Sequence, residues 1–79
     1  MLEIGDIVES IKGHDKGRIY FVYALSGEFA YLVDGEYRKK DKPKKKRLKH
    51  LKNKFIKYNL DKPLNSLYDY EISTFLRQL

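Results

Sequence analysis

The sequence predicts a mainly β domain: a small five-stranded barrel followed by one or two short C-terminal α-helices. Three observations predict it. Short runs rich in β-branched and aromatic residues recur through the first half of the chain. Turn signals built on glycine separate those runs. Beyond residue 52 the apolar spacing changes from strand-like to helix-like.

Each element has its own warrant. Residues 5–12 set Ile7 and Val8 beside Asp6 and Glu9, then run on through Ser10, Ile11 and Lys12, a half-buried strand. Gly13-His14-Asp15-Lys16-Gly17 brackets a polar tripeptide with two glycines, a tight turn needing positive φ or close backbone approach. Residues 18–25 hold Ile19, Tyr20, Phe21, Val22 and Tyr23 and form the best strand in the chain. Ser26-Gly27-Glu28 is a short hairpin connection to the returning strand Phe29-Ala30-Tyr31-Leu32-Val33. Asp34-Gly35 is a strong hairpin dipeptide, so a fourth strand is expected to start at Tyr37-Arg38-Lys39. Pro43 breaks any ladder within residues 40–46 and leaves a basic loop there. Leu48 and Leu51, flanking Lys49-His50, supply a last short strand.

The period then changes. Asn53 is expected to cap a short helix with Phe55, Ile56 and Leu60 on one face, ended by Asp61-Lys62-Pro63. Residues 65–79 predict a second helix whose apolar face carries Tyr68, Ile72, Phe75, Leu76 and Leu79. Ser66 and Asp69 have capping spacing, and Asp69 and Glu71 suit the positive end of the helix dipole. The domain organisation is therefore a barrel over residues 1–52, including a basic loop at 38–49, and a helical extension over 53–79. The extension is expected to pack on the barrel, because a lone barrel of about fifty residues has a marginal core.

Composition narrows the function. The chain has 79 residues and no cysteine, which excludes a disulfide scaffold and a thiolate metal site. A domain this small buries only about 60–65% of its unfolded surface, so a deep catalytic cleft is not expected. No apolar run approaches the roughly 20 residues of a membrane span. The start, Met1-Leu2-Glu3-Ile4-Gly5-Asp6, lacks the basic-then-apolar layout of a signal peptide. A soluble cytoplasmic domain is the expectation.

The net charge of +6 conceals a segregation. Residues 38–57 hold twelve basic side chains and a single acidic one, Asp41, a net of +11; the rest of the chain has five basic and ten acidic, a net of −5. A block of like charge repels itself and calls for an external counter-charge, which phosphate commonly supplies. The plainer alternative is a flexible basic linker between barrel and helix.

Gly5-Asp6-Ile7-Val8, followed by Gly13-His14-Asp15-Lys16-Gly17-Arg18 and an apolar strand, resembles the KOW motif, a signature of nucleic-acid-associated domains in ribosomal proteins and in transcription elongation factors of the NusG type. Phe29-Ala30-Tyr31-Leu32-Val33-Asp34-Gly35, Arg38-Lys39, the Lys/Arg run and Leu48-Lys49-His50-Leu51 resemble archaeal and eukaryotic large-subunit ribosomal proteins with an SH3-like KOW barrel. They resemble still more closely the short bacterial KOW-domain RNA-binding proteins related to that group. The resemblance covers residues 4–52, and in the tail it is carried by Asp69-Tyr70-Glu71-Ile72 and Leu76. It departs at His14, where the family often has Arg; a phosphate contact from His14 would be weaker and pH-dependent. The resemblance implies an SH3-like barrel that binds RNA, with ribosomal RNA or another structured RNA, and the large ribosomal subunit, as the expected partners.

The residues themselves supply a mechanism. Arg38 and Lys39 on a strand edge, Lys44, Lys45, Lys46 and Arg47 in the loop, and Lys49 and His50 at the last strand would follow a phosphodiester backbone, Arg as a fork and Lys as a point charge. The glycine turn adds Lys16 and Arg18, and its backbone N–H groups could cradle an anion; a plain hairpin turn explains it equally well. Tyr37 is placed to stack on a base or ribose. Core packing accounts better for Tyr20, Phe21, Tyr23, Phe29 and Tyr31. Shape and backbone recognition is expected, not base reading.

Catalysis finds little support. His14 and His50 are the only histidines, and neither has a second ligand at metal spacing. Asp6, Asp15, Asp34 and Glu36 lie near turns, where solvated turn or capping roles explain them. No enzyme activity, metal, cofactor, membrane contact or small-molecule substrate is expected, and the chain is expected to be a monomer. Two other classes stay open: a protein-interaction module docking on a transcription or ribosome-assembly partner through the barrel or the C-terminal helix, and a duplex-DNA-associated factor.

Overall fold

The strands are short, and the longest of them organises the rest. The computed structural model describes residues 1–56 and 62–79. In it β1 (Ile7–Ser10), β2 (Ile19–Ser26), β3 (Phe29–Val33), β4 (Lys44–Arg47) and β5 (Leu51–Asn53) form one antiparallel sheet in the order β4-β3-β2-β1-β5. A helix, α1 (Asp69–Arg77), follows at the C-terminal end. Among the described residues, no helix is long and apolar enough to cross a membrane.

Register explains why β2 reads as an almost unbroken apolar run. Antiparallel partners lie on the same face and neighbours along a strand on opposite faces. Ile7 pairs with Phe21 and Phe21 with Val33, while Val8 pairs with Tyr20 and Val22 with Leu32. These two sets belong to two separate cores. Ile7, Phe21 and Val33 pack with Leu64, Leu67 and Ile72 of the C-terminal segment. Val8, Tyr20, Val22, Ala30 and Leu32 form the second cluster, with Leu2, Leu48 and Leu51 against it. The sheet is thus covered on both faces, and the alternation expected of a half-buried β1 gives way to Ile7 and Val8 both fully buried. Each such side chain contributes about 1.5–3 kcal/mol on burial, so the C-terminal segment completes one of two cores.

The fourth strand is not where the sequence places it. Residues 35–38 form bends, and β4 is Lys44–Arg47, the segment expected to be a basic loop. The Asp34-Gly35 dipeptide builds a closed loop instead of a hairpin. The Asp34 and Gly35 N–H groups donate to the Arg38 carbonyl at 2.9 and 3.2 Å, and Asp34 Oδ1 accepts from the Glu36 and Arg38 N–H groups at 2.9 and 2.7 Å. Gly35, at φ 78°, lies against α1, where a Cβ would overlap the Asp69 carbonyl and meet the Ser73 nitrogen at 2.7 Å. Its glycine serves helix packing. Pro43 does not break β4 because it stands just before the first paired residue of an outer strand, where a missing N–H costs no ladder bond.

The helical expectations also need correction. Asn53 is the last residue of β5, paired with Val8, and its Oδ1 accepts the Phe55 N–H at 2.8 Å. This turn puts Phe55 at φ 55°, and no helix starts there. Leu60 and Asp61 of that expected helix lie outside the described residues. Residues 48–50, expected in the last strand, form a 3-10 turn, and the strand begins at Leu51. The last helix starts at Asp69, not 65: after Pro63 the chain makes a 3-10 turn, Leu64–Ser66, that buries Leu64. The chain is then extended at Leu67 and Tyr68, and the Glu71 carboxylate accepts the Tyr68 N–H at 3.0 Å, replacing the expected Ser66–Asp69 cap.

Candidate nucleic-acid interface

The glycine turn folds a carboxylate inward. Gly13 and Gly17 take φ of 90° and 94°. The Gly17 N–H reaches the Ser10 carbonyl at 2.8 Å, and the Arg18 N–H reaches the Asp15 carbonyl at 2.9 Å. Asp15 is left only 7% exposed, where a solvated turn residue was expected. Its Oδ1 accepts from Ser10 Oγ and from Lys46 Nζ, both at 2.8 Å, and its Oδ2 from the Tyr20 hydroxyl at 2.9 Å. Lys44 Nζ stands 3.7 Å from Oδ2. Burial by itself raises the Asp15 pKa, but Lys46, the Ser10 and Tyr20 hydroxyls and the Lys44 charge outweigh it and hold the carboxyl well below its usual range. Burial, with the Asp15 hydrogen bond and charge, pushes the Tyr20 phenol above its ordinary value. Asp15 therefore stays ionised and Tyr20 protonated at neutral pH, which suits a fixed support and not proton transfer.

That network sorts the basic run. Side chains alternate along β4, so Lys44 and Lys46 share one face and Lys45 and Arg47 the other. Lys46 is committed inward: its side chain is 11% exposed, and Nζ also donates to the Lys12 carbonyl at 2.7 Å. On the opposite face, Lys45 Nζ and Arg47 Cζ lie 4.3 and 5.0 Å from the Phe29 ring centroid. Arg47 is also 3.6 Å from Glu28, and with Lys49 it borders a depression of about 270 Å³. Lys49 is exposed on the 3-10 turn. The His50 carbonyl accepts the Ile11 N–H at 3.0 Å, and desolvation, with Lys12, Lys49, Lys46 and Arg47 nearby, lowers its imidazole pKa and favours the neutral form.

On the Lys44 side, residues distant in sequence converge. His14, Asp15, Arg18, Tyr20, Tyr37, Arg38 and Lys44 line a cleft of about 320 Å³. The glycine turn supplies His14, the approach to β2 supplies Arg18, the loop closed by Asp34 supplies Tyr37 and Arg38, and Lys44 opens β4. Arg18 Cζ sits 4.3 Å over the Tyr37 ring, which is 68% exposed. Three cations thus face a single carboxylate that already has cationic partners, an arrangement that attracts an anion and offers an aromatic surface beside it.

Of the residues singled out in the sequence, the cleft unites Arg18, Tyr37, Arg38 and Lys44. It leaves out Lys16 and Lys39, both exposed nearby in sequence, and places Lys45, Arg47 and Lys49 on the other side of the outer strand. Asp15 and Lys46 form a support that the sequence does not announce, because Ser10, Tyr20 and Lys46 reach Asp15 from three different strands. Among the described residues, no group of three His, Asp or Glu side chains could hold a metal ion. Compared with protein-family models and with curated proteins, the chain matches none.

Proposed function

We propose that this chain is a non-catalytic RNA-binding protein that grips the phosphate backbone through a local basic patch, in association with ribosomal RNA or the translation machinery. The observation that carries the reading is the convergence of Arg18, Arg38 and Lys44 on one cleft beside an exposed tyrosine, next to an outer strand whose sequence is Lys-Lys-Lys-Arg. Lys45, Arg47 and Lys49 extend the positive surface around that edge. The five-stranded antiparallel sheet is in keeping with an SH3-like KOW barrel, the finer fold this proposal includes.

The test is a salt titration of RNA binding. With about six phosphates engaged by these cations, log K should fall against log salt with a slope of about −4 to −5. Charge reversal of Arg38 and Lys44 together should abolish binding. Sedimentation of a cell lysate on a sucrose gradient then examines the ribosomal part, with co-migration with the large subunit expected. A flat salt titration removes the electrostatic reading.

A further inference from the structure

We propose that the cleft takes one unstacked nucleotide of RNA, its base laid on the open face of Tyr37 and its phosphates on Arg38 and Lys44. The preferred substrate is then single-stranded RNA, as a loop, bulge or end, and not a continuous duplex. The proposal rests on the RNA-binding reading above and deepens it from backbone contact to a ligand class.

Tyr37 is the reason. It is 68% exposed, on a loop whose backbone is pinned on either side of it. The Asp34 carboxylate ties down the loop through the Glu36 and Arg38 N–H groups, and Gly35 seats that loop on α1. The Arg18 guanidinium, 4.3 Å from the ring centroid, covers one side of the ring. The rest of the ring is largely open to solvent, and Tyr37 lines the cleft. A preorganised aromatic surface loses little conformational freedom when a base stacks on it. Bases stack on aromatic rings whatever their identity, but only if their own faces are free, which stacking between neighbouring pairs in a duplex prevents.

The cleft fits that task in size and charge. At about 320 Å³ it lies at the lower end of small-ligand sites, room for one nucleotide. Asp15 on its floor would repel phosphate if unpaired, but Lys46 bonds it from within at 2.8 Å. The opposite basic surface lacks this equipment, because the Phe29 ring already carries Lys45 and Arg47.

The experiment compares a short single-stranded RNA with the duplex made from it, by fluorescence anisotropy at fixed salt. Wild-type protein should prefer the single strand. Tyr37→Ala should weaken single-strand binding by about 5- to 150-fold, the effect of one lost base stack. Its salt slope and its duplex affinity should stay unchanged, and Tyr37→Phe should restore the single-strand affinity. The chain has no tryptophan, so Tyr37→Trp gives a unique fluorophore that single-stranded RNA should quench and duplex should not. Equal loss on both RNAs, or no loss on either, overturns the stacking site. If the wild-type protein binds RNA with a steep salt slope but is indifferent to Tyr37, only this proposal falls; if it binds neither RNA, the RNA reading falls with it.

Discussion

Replacing Lys46 by methionine separates the charge counted in the sequence from the charge available to a ligand. Lys46 and Asp15 form a pair at 2.8 Å with side chains 11% and 9% exposed. Removing one member of a buried pair costs about 3–5 kcal/mol, because the other is left as an uncompensated buried charge. Here the lower end applies: Lys44 stands 3.7 Å from the second Asp15 oxygen, and methionine retains most of the lysine stem's packing. The expected loss is therefore about 3 kcal/mol at pH 7, a large share of the roughly 4–12 kcal/mol typical of a domain this size. Urea denaturation followed by circular dichroism measures it.

The pH dependence has a definite sign. The folded pKa of Asp15 lies below its ordinary value of 3.8. Its stabilisation is complete above that value and is lost as pH falls toward the folded pKa. The gap between wild type and Lys46→Met should therefore be widest near neutrality and narrow below about pH 4. For RNA binding the expectation is the opposite of what the run of four cations suggests. Lys46→Met should leave the salt slope of the folded protein unchanged, while Arg38→Met and Lys44→Met each reduce it by about 0.7–0.9. A stability loss under about 1 kcal/mol, the value of an exposed pair, would refute the buried-network argument.

Three further substitutions probe the frame. Gly35→Ala forces a side chain into positive φ and into the Asp69 and Ser73 backbone, so it should cost more than about 3 kcal/mol in urea denaturation and loosen α1. Tyr20→Phe removes the hydroxyl that bonds Asp15 at 2.9 Å and should cost about 1–2 kcal/mol, with no change in RNA salt slope. Glu28→Gln breaks an exposed pair with Arg47, so stability should move by less than about 0.5 kcal/mol in the same measurement.

How much of this was legible in the sequence depends on how local the cause was. β2, the Ser26-Gly27-Glu28 connection and β3 were legible because apolar runs and a glycine turn determine them without help from distant residues. Asp34-Gly35 misled because the same dipeptide that makes a hairpin also allows close approach by a helix, and α1 lies some 35 residues away. Asn53 misled because an Asx turn and a helix N-cap use the same side-chain acceptor. Arg18, Tyr37, Arg38 and Lys44 each stand out in the sequence as candidates, but their grouping needs the loop from 34 to 38 to fold back toward the glycine turn. The inward turn of Asp15 was not legible, since its partners Ser10, Tyr20 and Lys46 come from three strands.

The charge segregation consequently has two causes. β4 is an outer strand, and lysines on such a strand discourage edge-to-edge pairing with other chains. Part of the run thus protects the sheet, and Lys46 neutralises Asp15 from within. Neither role requires a ligand. What they leave unexplained is Arg18, Arg38 and Lys44 meeting around one cleft: Arg18 and Arg38 lie outside β4, and Lys44 has Asp15 only at a loose 3.7 Å. Edge protection needs no such convergence, and neutralising Asp15 needs one lysine. The proposed anionic ligand would use all three, so the proposal rests on these side chains rather than on the net charge of the segment.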